Sequence, residues 1–207
     1  MTKYDDNWVR AEEAKRKWMA ENGLYSEEEE HSSCGVGLVV SVDGSKSRQV
    51  VDAGIAALQA IWHRGAVDAD GKTGDGAGIH VQIPVPFFHD QVKRTGHLPR
   101  EDELMAVGQV FLPRTDFGAQ ETCRTIVEAE VLRMGYYIYG WRHVPVDVTC
   151  LGEKANATRP EIEQILISNS KGVDEETFER ELYVIRRRIE KAAAAAQVGA
   201  LFIAPLS

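Results

Sequence analysis

An α+β fold is expected for this 207-residue chain from three observations. Beyond Ser33, short apolar runs alternate with longer segments whose apolar residues recur at helical spacing. Several of the short runs are β-branched or aromatic and are bounded by Gly, Pro or Asp, as strands are. The composition, 43% hydrophobic and 27% charged, is that of an ordinary globular protein with one substantial core.

The first 33 residues differ from the rest. They carry five Lys/Arg against nine Asp/Glu and end in the acidic run Glu27 to Glu30 followed by His31-Ser32-Ser33. Trp8, Ala11, Lys15 and Trp18 fall at helical spacing, which predicts a short amphipathic helix over about residues 6 to 21, stopped by Asn22-Gly23. Residues 1–33 thus read as a detachable leader, with a solvated arm as the alternative, and residues 34–207 as the domain. Gly37 to Val42 reads as a buried strand closed by a turn at Asp43-Gly44. A helix is expected from near Arg48, with Val51, Ile55, Leu58 and Ile61 or Trp62 inward. Ile79 to Ile83 alternates as a second strand, broken by Pro84 and Pro86. Met105 to Leu112 is the third strand. A helix from Asp116 to Met134 follows, with Ile126, Val127, Val131 and Leu132 as its apolar face.

Tyr136 to Val144 is aromatic and alternating, hence a strand, and Pro145 to Thr158 reads as loop. Glu161 to Ser168 is a further strand. Asp174-Glu175-Glu176-Thr177 has the composition of a helix start, and Phe178, Leu182, Ile185 and Ile189 carry that helix to the alanines at 192–196. The apolar segment Leu201 to Leu206 reads as a core strand that stops at Ser207, so the fold is expected to be incomplete on its C-terminal side. No internal repeat is visible.

Charge and composition exclude several functions. A formal net charge of −8 opposes general binding to nucleic acid or anionic membranes. The polar start Met1-Thr2-Lys3-Tyr4-Asp5-Asp6 has no secretory apolar region, and no later run approaches the ~20 apolar residues of a membrane span, so a cytoplasmic location is expected. The Asn156-Ala157-Thr158 sequon is accordingly a chance match. Cys34, Cys123 and Cys150 are odd in number, widely spaced and without a C-x-x-C pair, which opposes a disulfide framework, a metal site or a cluster within this segment.

The glycine loop Gly71-Lys72-Thr73-Gly74-Asp75-Gly76-Ala77-Gly78 invites comparison with phosphate-binding loops. Five residues, Ala66 to Asp70, separate Gly65 from Gly71 where that pattern has four, and the segment follows a helix rather than a strand. Asp68, Asp70 and Asp75 would also repel phosphate. As a cluster these aspartates suggest a hard cation, but EF-hand spacing is absent, which leaves a substrate-wrapping turn or a surface loop. His63-Arg64 reads as a C-terminal helix cap or as a site pair, and Arg186-Arg187-Arg188 as a solvated helix side.

Cys34-Gly35-Val36-Gly37 carries the chemistry. A lone cysteine is commonly a small buried hydrophobe, but Cys34 directly follows the acidic leader and precedes two glycines that permit close approach. Cleavage before it would place a nucleophilic thiol and a free α-amine, titrating near ~8, on one residue. Cys123 and Cys150 lack such a setting and read as core or incidental thiols.

From Cys34 onward the chain resembles the amidotransferase domain that opens the large subunit of the bacterial glutamate synthase family. The residues that carry this are Cys34-Gly35-Val36-Gly37, Trp62-His63-Arg64-Gly65 with the run to Gly78, Gly108 to Pro113, Gly135-Tyr136-Tyr137 and Glu153 to Pro160. The resemblance implies a class II glutamine amidotransferase of four-layer αββα N-terminal-nucleophile hydrolase fold, with a propeptide removed before Cys34. It implies that Cys34 is the nucleophile and that Arg64 and Gly65 shape its surroundings. It further implies glutaminase chemistry on L-glutamine, with ammonia used to aminate 2-oxoglutarate. FMN, an iron-sulfur cluster, the remaining synthase domains and a small electron-donating subunit belong to the full enzyme. The family's later substrate-clamp and oxyanion segments have no counterpart before Ser207, so little or no glutaminase activity is expected of the isolated chain. Another N-terminal-nucleophile amide hydrolase and a non-catalytic, partner-binding piece are the rival readings.

Overall fold

The structure is a computed structural model that describes residues 6–23, 35–61, 67–74, 76–198 and 201–207. The chain divides into two compact units, Met1–Ala57 and Leu58–Ser207.

In the first unit α1 (Asp6–Asn22) matches the expected helix. Its end is marked by Asn22 Nδ2 donating to the Trp18 carbonyl at 2.9 Å, and the Trp18 side chain is exposed. The second helix, α2 (Arg48–Ala60), starts where expected and runs past the boundary between the units. Its Val51, Ile55 and Leu58 are half-buried, Ile61 just beyond it is exposed, and Trp62 lies outside the described residues. The turn at Asp43-Gly44 forms: Gly44 N–H donates to the Ser41 carbonyl at 3.0 Å, with Gly44 at φ +70°. Gly37 to Val42 departs from expectation. It pairs with no strand among the described residues, and Leu38 and Val42 are exposed. Apolar alternation supplies a face but not a ladder partner, and without one the segment stays irregular.

The second unit is built on one four-stranded antiparallel sheet. Its strands are β1 (Met105–Leu112), β2 (Tyr137–His143), β3 (Glu161–Ser168) and β4 (Phe202–Leu206), in the spatial order β2-β3-β1-β4. β1 and β3 form the centre, in register from Met105↔Ser168 to Leu112↔Glu161. Their side chains alternate between two faces. On one face Ala106, Val110, Leu112, Ile165 and Ile167 meet Cys123, Val127 and Val131 of α4 (Phe117–Arg133) and Phe178, Leu182, Ile185 and Ile189 of α6 (Glu175–Ala195). The other face carries Met105, Val107, Tyr139 and Leu166 against Phe88 and Val92 of α3 (Val85–Arg94).

Both long helices have carboxylate caps. Asp116 accepts from Ala119 N–H and Asp174 from Thr177 N–H, each at 2.9 Å, satisfying donors the helix itself leaves open. Glu163 projects to the α4 side and is held by Arg124, whose Nε and Nη2 reach its two carboxylate oxygens at 2.9 and 2.6 Å. This forked pair lets a charged residue lie at the core margin and raises the Arg124 pKa further.

Four further differences from the sequence reading are local. Pro84 and Pro86 start a helix as well as ending an apolar run: Pro84 is the N-cap residue of α3 and Pro86 lies in its first turn, where a missing N–H costs nothing. Ile79 to Ile83, like 37–42, forms no strand among the described residues, and Ile79 and Val81 are exposed. Leu132 is exposed, because the buried stripe of α4 runs through Cys123, Val127 and Val131. A short helix, α5 (Glu153–Thr158), also lies within the expected loop.

Gly108 explains itself by packing. A Cβ there would lie 2.7 Å from Ile165 Cγ2 and 2.8 Å from Leu206 Cδ1, between the two strands that flank β1. Gly108→Ala is expected to destabilise the protein by about 1–3 kcal/mol through overpacking. A urea titration should show a lower midpoint at unchanged slope.

Candidate functional site

Cys34, Arg64 and Gly65 lie outside the described residues, as do Trp62, His63 and Asp75. The described part of the site begins three residues after Arg64, at Val67. Val67 forms an isolated antiparallel bridge with Gly74, and the intervening residues fold into a closed turn. Asp68 N–H donates to the Thr73 carbonyl at 2.7 Å, and Gly71 N–H donates to the Asp68 carbonyl at 2.9 Å. Gly71 sits at φ +68°, a conformation glycine adopts without strain.

Asp70 is the hub of this turn. Its Oδ1 accepts from the Lys72 and Thr73 N–H groups at 3.0 and 2.7 Å, and its Oδ2 from the Thr73 hydroxyl at 2.5 Å. These donors favour the ionised form, the Thr73 hydroxyl most, and hold the carboxyl at about 2. Asp68 points elsewhere, its Oδ2 accepting from Lys154 Nζ at 2.7 Å. Both aspartates are therefore engaged by protein donors, which accounts for their clustering without a cation.

The turn is seated on the start of α5. Gly152, the N-cap residue of α5, is buried at φ −72° and ψ 164°, a conformation open to any residue. A Cβ on it would fall 2.2 Å from Thr73 Oγ1, 2.3 Å from Asp70 Oδ2 and 2.6 Å from the Thr73 backbone nitrogen. Only glycine fits that seat. The glycine loop and the Glu153 to Pro160 stretch, two motifs far apart in sequence, thus meet in space.

The sequence reading does not mark Gly152, and it includes Lys154 only within the stretch Glu153 to Pro160, with no role of its own. The Lys154–Asp68 contact spans 86 residues, and no local pattern signals it. A cavity of about 370 Å³ is lined by residues flanking α5: Val146, Asp147, Val148 and Leu151 before it and Arg159, Pro160 and Ile162 after it. Asp147 is engaged with Thr149 and Arg159 with Asn156. Cys123 is buried in the core, where burial raises its pKa and leaves it a packing thiol. Cys150 is exposed, its Sγ donating to the Asp147 carbonyl at 3.2 Å. These two thiols do not fit an iron-sulfur cluster, which needs several converging thiolates. No helix among the described residues is long and apolar enough to cross a membrane.

Residues 34–207 match the model of the family described as glutamine amidotransferases class-II, and the chain belongs to that family. Among curated relatives it is 61% identical over 183 residues to the glutamate synthase [NADPH] large chain of Azospirillum brasilense, a match covering 88% of this chain and 12% of that one. The Bacillus subtilis protein of the same name is 39% identical over 173 residues, covering 81% and 11%. The ferredoxin-dependent glutamate synthase of Spinacia oleracea is 36% identical over 165 residues, covering 80% and 10%. The chain therefore spans about a tenth of the length of these relatives.

Asp70 offers a direct check on the turn. A folded-state pKa below the ordinary ~3.9 means that its contribution is present above that value and is lost as pH falls through the folded pKa. A carboxyl-carbon NMR titration should give a midpoint of about 2. A midpoint at the ordinary carboxylate value would mean that the turn is not formed in solution.

Proposed function

We propose that this chain is the opening, glutamine-hydrolysing part of a glutamate synthase large subunit. The observation that carries the reading is a family match that starts at Cys34, the one cysteine placed to become a chain terminus. Residues 1–33 act as a propeptide. Their removal converts an amide nitrogen, which is no base, into an amine that can take the Cys34 thiol proton.

The Cys34 thiolate attacks the side-chain carboxamide carbon of L-glutamine. The tetrahedral intermediate collapses as the leaving nitrogen takes a proton from the terminal ammonium, releasing ammonia and leaving a γ-glutamyl thioester. Water then attacks the thioester, yielding glutamate and restoring the thiol. Arg64 helps to organise the free terminus, and Gly65 permits close backbone approach. The ammonia aminates 2-oxoglutarate elsewhere in the full enzyme. When bound in the full enzyme, FMN and an iron-sulfur cluster would supply the electrons for that amination, and neither Cys123 nor Cys150 is suited to hold the cluster. A small electron-donating subunit is the expected partner, and the cytoplasm the expected location.

The complete domain is proposed to have four layers, with a second sheet facing the one described. The strand-like but exposed apolar residues Leu38, Val40 and Val42, together with Ile79 and Val81, support this, since such patterns become stable strands once ladder partners are supplied.

The full-length polypeptide is expected to release ammonia from glutamine. Cys34→Ala is expected to reduce that release by at least ~10³-fold, as loss of a covalent nucleophile does. Ammonia release that survives Cys34→Ala would overturn the reading.

A further inference from the structure

We infer that the cavity flanking α5 is a binding site for a free α-amino acid with an apolar side chain, held by Asp147 and Arg159. The site shares no residue with the proposed nucleophile or its surroundings, and binding there does not depend on glutaminase chemistry.

Size and lining are those of a small-molecule site. Such cavities commonly measure about 300–1,000 Å³ and combine an apolar lining with a few polar groups that fix orientation. This one measures about 370 Å³, and its lining is apolar except for Asp147 and Arg159. Val146 and Val148 are exposed, so an apolar group that covers them gains by removing their surface from water.

The two charged residues are oriented by neutral groups. Asp147 Oδ1 accepts from the Thr149 N–H at 2.9 Å and from the Thr149 hydroxyl at 2.7 Å, donors that keep its carboxyl ionised. Arg159 Nε donates to Asn156 Oδ1 at 2.9 Å. Neither residue forms an ion pair among the described residues. Asp147 Oδ2 and the two terminal nitrogens of Arg159 are left without a partner among them.

This pattern selects the ligand by charge. A neutral apolar molecule would take water from both charges and return nothing for either. A phosphate would meet the Asp147 carboxylate, and a simple cation would meet the Arg159 guanidinium. A zwitterion with an apolar tail satisfies every part: its carboxylate pairs with Arg159, its ammonium with Asp147, and its side chain covers the apolar lining.

The test uses the full-length polypeptide and equilibrium dialysis with radiolabelled L-leucine. Saturable binding is expected with a Kd on the order of 0.1–1 mM, the strength that about nine non-hydrogen atoms supply. L-leucinamide, which lacks the carboxylate, and N-acetyl-L-leucine, which lacks the ammonium, are each expected to bind at least about tenfold more weakly. Arg159→Met and Asp147→Asn should cause losses of the same size for L-leucine. Leucinamide should lose nothing further in Arg159→Met, because the pair it tests is already gone. Leucine should also slow hydrogen exchange over residues 146–151 and 159–162.

Absence of saturable binding up to ~10 mM would overturn the inference. So would leucinamide or N-acetyl-L-leucine binding within about twofold of leucine, or unchanged leucine binding in a folded Arg159→Met protein. Displacement of leucine by L-glutamine as readily as by L-isoleucine would assign leucine to a glutamine site and overturn it as well. If a variant does not fold, the analogue series in the parent protein decides by the same criteria.

Discussion

The antiparallel pairing of β1 with β3 is the constraint on which the second unit depends. Eight residue pairs in unbroken register place Ala106, Val110, Ile165 and Ile167 on one face and Val107 and Leu166 on the other. Because side chains alternate strictly, a one-residue slip of β1 would turn Ala106, Val110 and Leu112 away from the α4–α6 core and bring Gln109 to it instead. Gly108 and Glu163 make that slip costlier. Gly108 is the only residue of β1 whose absent side chain leaves room for Ile165 and Leu206. Glu163 has its Arg124 partner only in the native register.

The candidate site inherits its precision from this pairing. α5 lies in the connection between β2 and β3, and β3 begins at Glu161, shortly after the helix ends at Thr158. The Gly152 seat and the Lys154 tether are thus carried on a connection anchored at both ends by the sheet. The glycine loop, which has little secondary structure of its own, borrows order from it. Sites built this way separate the two demands on an enzyme loop: conformational freedom comes from glycine, and position comes from a rigid neighbour.

The sequence makes some parts of this fold legible and hides others. The four strands of the sheet and helices α1, α2, α4 and α6 are readable because each carries its own period, seen most clearly in Phe178, Leu182, Ile185 and Ile189. α3 is obscured by Pro84 and Pro86, since proline both ends strands and opens helices and the sequence alone does not say which. Leu132 is misplaced because the four apolar residues Ile126, Val127, Val131 and Leu132 span a wider arc of α4 than the buried stripe. Gly37 to Val42 has the pattern of a strand but finds no partner among the described residues, and pattern cannot supply one. At the site, family text marks Cys34, Arg64 and Gly65, which lie outside the described residues, whereas Gly152 and the pairing of Lys154 with Asp68 emerge only from contacts across the fold.

The proposed chemistry turns on a single covalent event, conversion of the Cys34 amide nitrogen into an amine. Without it the thiol lacks its adjacent base, and with it one residue carries both groups the chemistry requires. N-terminal sequencing combined with intact mass of the protein isolated from its native cells tests this most directly. The account predicts a mature chain that begins Cys34-Gly35-Val36-Gly37. A mature chain that still begins at or near Met1 would contradict it.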